Sequence, residues 1–353
     1  MCLASRGWPV TYVPILKGKK GEFLALKHAS AEVQSQIRPV MEIVPDSEVA
    51  TFCTHAVDST PDGMVLSVDC SALSGTNASR VDIGGPMMRV GESLGQRQVA
   101  MCPVFRITDT QKMLTEVSAV MNLHEQGGCL RASSLDVSRG LLEGEHIRNL
   151  LRVLRVDPEE IDLLIDAGPV QSEDSRHVRV GEVTESLERL APWPWRRICV
   201  AAGAFPFNLS GFPRGRATPV KREDALLWAD VTDKWQTRRL DFADFGVTHP
   251  RMPAQSRGAP HPNMRYTSDI NWQVFVYAKR RRGNDDFFVL SRDLVDSPYW
   301  PSSGARTSWG DARLLECAER ERPRAGGGTE WRAWATSHHL AAVTSRLTIL
   351  GRP

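Results

Sequence analysis

The chain has no long apolar run, no paired cysteines and no decisive excess of charge, and each absence removes a class of protein. No apolar run approaches the roughly 20 residues needed to cross a bilayer, so no membrane-spanning helix is expected. Lys and Arg number 44 against 42 Asp and Glu, for a formal net charge of +2. Overall charge therefore does not call for a nucleic-acid partner, which would need a local patch. The seven cysteines (Cys2, Cys53, Cys70, Cys102, Cys129, Cys199, Cys317) show no CxxC and no paired spacing, the pattern of reduced thiols. The first residues, MCLASRGWPV, lack the basic start and apolar core of an export signal. A cytoplasmic chain is the expectation. The turn after the first apolar run, KGKKGE, is neither GxGxxG nor a P-loop. No Ser–His–Asp order stands out, so acyl transfer and hydride chemistry are set aside.

What is present is a series of short apolar segments that each end in a charge. TYVPILK ends at Lys17, RPVMEIV carries Glu42, MVLSVD ends at Asp69, VAMCPVFR at Arg106, GGCLR at Arg131 and IDLLID at Asp166. Runs this short and rich in Val, Ile and Leu suit strands buried on both faces. Cys70, Cys102, Cys129 and Cys199 lie in or beside these strands and are expected to be buried, structural thiols.

Helical stretches separate most of these strands. EFLALKHASAEVQSQI (22–37) has helix-like apolar spacing, with a break and a second N-cap near Ser30. Helices are also expected over 109–123, 143–154, 183–190 and 222–231. A seventh strand falls at 196–203 and an eighth at 245–248. Residues 71–95 and the 204–220 segment read as irregular, and 251–264 as a further loop. The spacing predicts a β-hairpin from 272–279 and 287–290 with Arg280-Arg281-Arg282 at its tip, then a helix over 330–343. Strand–helix alternation of this kind predicts an α/β fold, a (β/α)₈ TIM-barrel-like domain over residues 1–250. Residues 251–353 are expected to add the hairpin, loops and helix on or over the barrel. An open doubly wound sheet is the alternative, less suited because its glycine fingerprint is missing.

Four blocks carry a family resemblance. They are YVPILKGKKGEFLALKHASAEVQSQIRPVMEIVP near the start, IDLLIDAG at 161–168, DFGVTHP (244–250) with NMRYT (263–267), and WRAWATSHHL at 331–340. Together they resemble the beta protein family of phages and bacteria. The resemblance implies a barrel-like α/β fold of this length and a role in phage–host conflict; it implies little about activity.

In a barrel, Lys17, Glu42, Asp69, Arg106, Arg131 and Asp166 would converge on the C-terminal mouth, where such folds build their sites. Asp244, His249 and Arg265 are expected to join them, with His339 as a further contact from the final helix. Arg106 and Arg131 suit a phosphate or carboxylate, because guanidinium forks match planar anions. Glu42, Asp69 and Asp166 are candidates for a general base or, with waters, for Mg²⁺. Lys17 would neutralise a developing oxyanion. This set points to a phosphorylated, nucleotide-like small molecule, bound and, if the protein is an enzyme, hydrolysed with metal assistance. The contrary reading is a structural ionic plug, and the alternative function is a sensor or interaction module acting with a protein partner. His338-His339 is poorly spaced for one ion, because adjacent helical residues point about 100° apart. The arginines at 280–282, with Trp300, Trp309, Trp331 and Trp334 for stacking, are the weaker case for nucleic acid.

Overall fold

The computed structural model describes residues 11–45, 48–73, 84–251, 262–277 and 284–353. Eight parallel strands close into a barrel: β1 (Tyr12–Leu16), β2 (Val40–Glu42), β3 (Leu66–Asp69), β4 (Met101–Phe105), β5 (Gly128–Ser133), β6 (Ile161–Pro169), β7 (Arg197–Gly203) and β9 (Asp241–Asp244). A separate antiparallel sheet has the order β10–β11–β8, with β8 at Ala217–Lys221, β10 at Asn263–Ser268 and β11 at Asn271–Val276. The α/β barrel expected from the sequence is the fold.

Alternation along the barrel strands explains the placement of the charges. Val13, Ile15, Val40, Cys102, Val104, Cys129, Leu164, Cys199 and Ala243 form one buried cluster inside the barrel. Side chains two apart share a face of a strand, so each inward row continues into a terminal residue. Val13 and Ile15 lead to Lys17, Val40 to Glu42, Val104 to Arg106, Cys129 to Arg131 and Leu164 to Asp166. The opposite faces, with Tyr12, Leu16, Phe105 and Phe242, enter the larger core beneath the helices. The buried thiols are structural, and burial pushes Cys102 up to about 12.

The helices are α1 (Lys20–Lys27), α2 (Ala31–Gln36), α3 (Val49–Ser59), α4 (Pro86–Gly95), α5 (Gln111–His124), α6 (Gly144–Leu154), α7 (Glu173–Leu190), α8 (Glu223–Lys234), α9 (Asp286–Val295), α10 (Trp309–Ala318) and α11 (Gly328–Leu350). The break near Ser30 is real: the Ser30 hydroxyl accepts from the Val33 N–H at 3.3 Å and starts α2. On α6, Ile147, Leu150, Leu151 and Leu154 form one buried stripe. Each is worth about 1.5–3 kcal/mol of transfer free energy before ordering costs. The last helix, α11, packs against α1, α2 and β1, which places it in the ring where a barrel carries its eighth helix. The approach to α1 is close at Gly21, where a Cβ would lie 2.5 Å from the Thr329 carbonyl oxygen. The first half of α11 also joins α9, α10 and β10 in a second core containing Phe287, Trp331 and Trp334.

Several local expectations are corrected. The eighth strand is Asp241–Asp244, not 245–248; Phe245 lies just beyond it. Residues 287–290 belong to α9, so the 272–279/287–290 hairpin does not form, and β11 pairs instead with β10 and β8. The apolar run FFVL was too short to distinguish strand from buried helix. β8 lies within the segment expected to be a loop. α4 lies within the stretch expected to be irregular, where Pro86 at its first turn and two internal glycines mask an amphipathic pattern. The α4 sequence includes GESLG, a G-x-S-x-G match, but inside a helix and not on the sharp strand-to-helix turn that exposes a nucleophile. Arg280-Arg281-Arg282 falls outside the described residues, as does most of the 251–264 loop.

Candidate functional site at the barrel mouth

Arg131 is the hub of the mouth. Its Nη1 donates to Glu42 Oε1 at 2.6 Å and to Asp69 Oδ2 at 2.9 Å. Its Nε and Nη2 donate to Asp166 Oδ2 at 3.0 and 2.6 Å. Arg106 makes a two-pronged pair with Asp69, at 3.0 and 2.6 Å. Lys17 pairs with Glu42 and also donates to the Pro250 carbonyl. Backbone turns orient two of the acids: the Ser71 N–H donates to Asp69 at 3.0 Å and the Gly168 N–H to Asp166 at 2.8 Å. Phe245 closes the inner side, its ring centroid 5.0 Å from Lys17 Nζ and 5.5 Å from the Arg131 guanidinium.

The electrostatics follow from this geometry. Burial alone would raise the Asp69 carboxyl, but Arg106 and Arg131 outweigh it and hold the group well below the usual carboxylate range. Burial would likewise weaken Arg131 as a cation, yet Asp166, Glu42 and Asp69 hold it well above its ordinary value. Asp69 thus stays ionised and is unsuited to giving or taking a proton. Lys17, Arg106 and Arg131 balance Glu42, Asp69 and Asp166, so the cluster is neutral as a whole. Three of the six reach solvent: the side chain of Arg106 is 27% exposed, Glu42 16% and Asp166 15%. The six residues expected at the mouth therefore come together there. Among the described residues no group of three or more His, Cys, Asp or Glu is spaced to hold a metal ion. The three acids radiate from Arg131.

His249 lies beside this cluster. Its Nδ1 is 2.9 Å from the Arg251 N–H and 3.1 Å from the Arg251 carbonyl. A backbone N–H can only donate, so Nδ1 accepts and the neutral ring carries its proton on Nε2. Burial, with Lys17 and Arg251 nearby, pushes His249 below its ordinary value and keeps the ring neutral.

Asp244, His339 and Arg265 are not part of the mouth cluster. Asp244 follows Phe242 on the outward face of β9 and is fully buried in the helical layer. It accepts from the Tyr12 hydroxyl at 2.7 Å, the Gly246 N–H at 2.9 Å, Arg222 at 3.2 Å and His339 Nε2 at 2.9 Å. Arg265 ties β10 to the mouth loops by donating to the Val247 carbonyl at 2.8 Å, its guanidinium 4.7 Å from the Phe205 ring centroid. Burial, with Arg332 nearby, pushes it down to about 9.

The tandem histidines have a structural role. His339 takes the Thr267 hydroxyl at Nδ1 and gives its Nε2–H to Asp244; burial pushes it down, consistent with a neutral ring. His338 faces two groups that only accept, Asp311 Oδ2 at 2.9 Å and the Thr267 carbonyl at 2.8 Å, so both its nitrogens are protonated. Burial opposes this charge, but Asp311 overcomes it and raises His338. Adjacent histidines thus clamp Thr267 of β10 between the barrel and α10. Trp331 and Trp334 are core residues, and Trp309 stacks on His28, with ring centroids 4.4 Å apart.

Sequence reasoning missed Phe245, Arg222 and Tyr12. Phe245 continues the inward row after Ala243 and was obscured by placing the eighth strand too late. A cavity of about 890 Å³ lies away from the mouth, between α2, α10 and α11. It carries none of the paired mouth residues.

Comparison with solved structures finds distant likenesses to known folds. A 2,3-dimethylmalate lyase of the PEP mutase/isocitrate lyase superfamily has 13% identity and a TM-score of 0.34, over 68% of this chain and 77% of that one. Triosephosphate isomerase from Bartonella henselae has 12% identity and a TM-score of 0.32, over 66% and 90%. The arginine decarboxylase of Paramecium bursaria Chlorella virus has 10% identity and a TM-score of 0.28, over 73% and 63%. No curated protein matches the sequence. No helix among the described residues is long and apolar enough to cross a membrane. The profile of the Beta protein family matches residues 12–345, nearly the whole sequence, and the chain belongs to that family.

Proposed function

We propose that the barrel mouth binds a small phosphorylated, nucleotide-like molecule, and that this binding underlies a role in phage–host conflict. The observation that carries the reading is Arg106, the most exposed member of an ion-paired ring, held in orientation by a two-pronged bond to Asp69. A guanidinium fixed in this way presents its free edge to an incoming anion at little further entropic cost. Lys17 and Arg131 stand behind it. A phosphate would draw on all three cations, while Glu42 and Asp166 would meet the hydroxyl groups of the same ligand.

Hydrolysis is the second step of this reading. Asp69 is locked in its ionised state, so proton transfer would fall to Glu42, Asp166 or the neutral His249. The internal charge balance favours the alternative of a non-catalytic sensor, in which binding alone changes how the protein meets a protein partner.

A thermal-shift screen against nucleotides and sugar phosphates, with and without Mg²⁺, tests the proposal. A ligand at 100 times its dissociation constant adds about 2.7 kcal/mol to stability, a readily visible shift. The expected result is a shift with a sugar phosphate or nucleoside monophosphate that Arg106→Ala abolishes, together with loss of phage protection by that variant in plating assays. No shift with any phosphorylated compound would overturn the reading.

A further inference from the structure

The opposite end of the barrel holds a second charged cavity, of about 400 Å³, formed where the strands begin. Arg38, Arg196, Arg197, Arg238 and Arg239 line it, with Asp241. Arg196 is taken up by a two-pronged pair with Asp162, at 2.7 and 2.8 Å. Arg197 donates to the Thr11 hydroxyl at 2.6 Å and reaches Asp241 only at 3.5 Å. Arg238 bonds the Trp195 carbonyl, which carries no charge. The side chains of Arg38 and Arg239 make no hydrogen bond or ion pair among the described residues, and both residues are exposed.

Among the described residues, five guanidinium groups thus face two carboxylates, Asp162 and Asp241, an excess of +3. The ten residues preceding Thr11 include an arginine and no acid, so they bring no countercharge. Mutual repulsion registers on the two unpaired groups. Burial and then Arg197 push Arg38 down, and burial with Arg197 does the same to Arg239 despite the attraction of Asp241. Barrel floors ordinarily serve stability, and clustered like charges oppose it. Such a cluster is accounted for by an anion that completes it.

We infer that this floor is a second binding site, and that its ligand is a phosphate chain of two or more groups. Three features select that chemistry. An excess of three positive charges exceeds what one carboxylate or a single phosphate would neutralise. The planar forks match phosphate oxygens in pairs. Among the described residues no aromatic side chain lines the cavity to stack on a base, so recognition rests on the phosphates, whether inorganic or carried by a nucleoside. The site is independent of the mouth.

The experiment is calorimetric titration with inorganic tripolyphosphate and with ATP. It is performed on Arg106→Ala, which silences the mouth, and on the triple variant adding Arg38→Ala and Arg239→Ala. The last two residues are exposed and hold no ion pair, so their loss leaves the packing unchanged; a circular-dichroism melt of each protein checks this. Arg106→Ala should bind tripolyphosphate, and the triple variant should bind it about tenfold more weakly or worse. Equal affinities for tripolyphosphate and ATP would identify the phosphate chain as sufficient; tighter ATP binding, also lost in the triple variant, would identify a nucleotide as the source. Absence of tripolyphosphate binding by Arg106→Ala would overturn the inference, as would unchanged binding in the triple variant. Binding of a short oligonucleotide without tripolyphosphate would also overturn it, in favour of nucleic acid.

Discussion

The two ends of this barrel use arginine in opposite ways. At the mouth, three cations meet three carboxylates, and Arg131 alone bonds to Glu42, Asp69 and Asp166. At the floor, five arginines meet two acids, and the side chains of two of the five make no hydrogen bond or ion pair among the described residues. The same residue type therefore knits one end together and leaves the other charged. The mouth can be neutral, buried and stable before any ligand arrives, whereas the floor is only balanced when an anion is bound.

The largest effect should come from the hub. Arg131→Ala leaves the buried Asp69 and the part-exposed Glu42 and Asp166 without their common partner, and breaking a buried ion pair in this way costs about 3–5 kcal/mol. Chemical denaturation should show a loss of that size; a loss below about 1 kcal/mol would mean the mouth network contributes only as surface ion pairs do.

A smaller effect, and one that separates the two ends, is the response to pH. Asp69 has a folded-state pKa below its unfolded value, so its contribution is present above roughly pH 4 and is lost as pH falls through the folded value. Stability should decline on the acid side, and Asp69→Asn should flatten that decline. His338 is raised, so its contribution is present below about pH 6.5 and fades as pH rises through the folded value. His338→Gln should remove this neutral-to-alkaline slope. At the floor, burial raises the Asp241 carboxyl while Arg197 and Arg239 oppose that shift, so substituting those arginines should move only the acid limb and leave the His338 slope unchanged.

The smallest effect belongs to the floor itself. Arg239→Gln removes an exposed, unpaired charge from a repulsive cluster and should change stability by no more than about 0.5 kcal/mol, with a gain as the expected sign. The same substitution should reduce the stabilisation that added salt gives the wild type, measured as unfolding midpoints between low and moderate ionic strength. A loss comparable to that of Arg131→Ala would erase the distinction between the two ends.

The barrel and its charged mouth were legible because both follow from local pattern. Short apolar runs mark buried strands, and a period of two carries Lys17, Glu42, Arg106, Arg131 and Asp166 inward on the same rows as Ile15, Val40, Val104, Cys129 and Leu164. Asp244 was misplaced for the same reason: a strand placed four residues late hides which face it occupies. His339 was misread because nothing near it in sequence announces a buried carboxylate 95 positions earlier. The floor escaped notice entirely. Arg38, Arg196, Arg197, Arg238 and Arg239 come from three separate strand entrances, and only closure of the barrel brings them together.

The most direct test of the account is a binding isotherm for the singly phosphorylated compound that gives the largest thermal shift, measured on wild type and on Arg106→Ala. Loss of one charge-assisted fork should weaken binding about tenfold or more. The unfolded fraction of the variant at the assay temperature should stay negligible, because Arg131 still pairs with Asp69. An isotherm unchanged by Arg106→Ala would contradict the assignment of the mouth as the site.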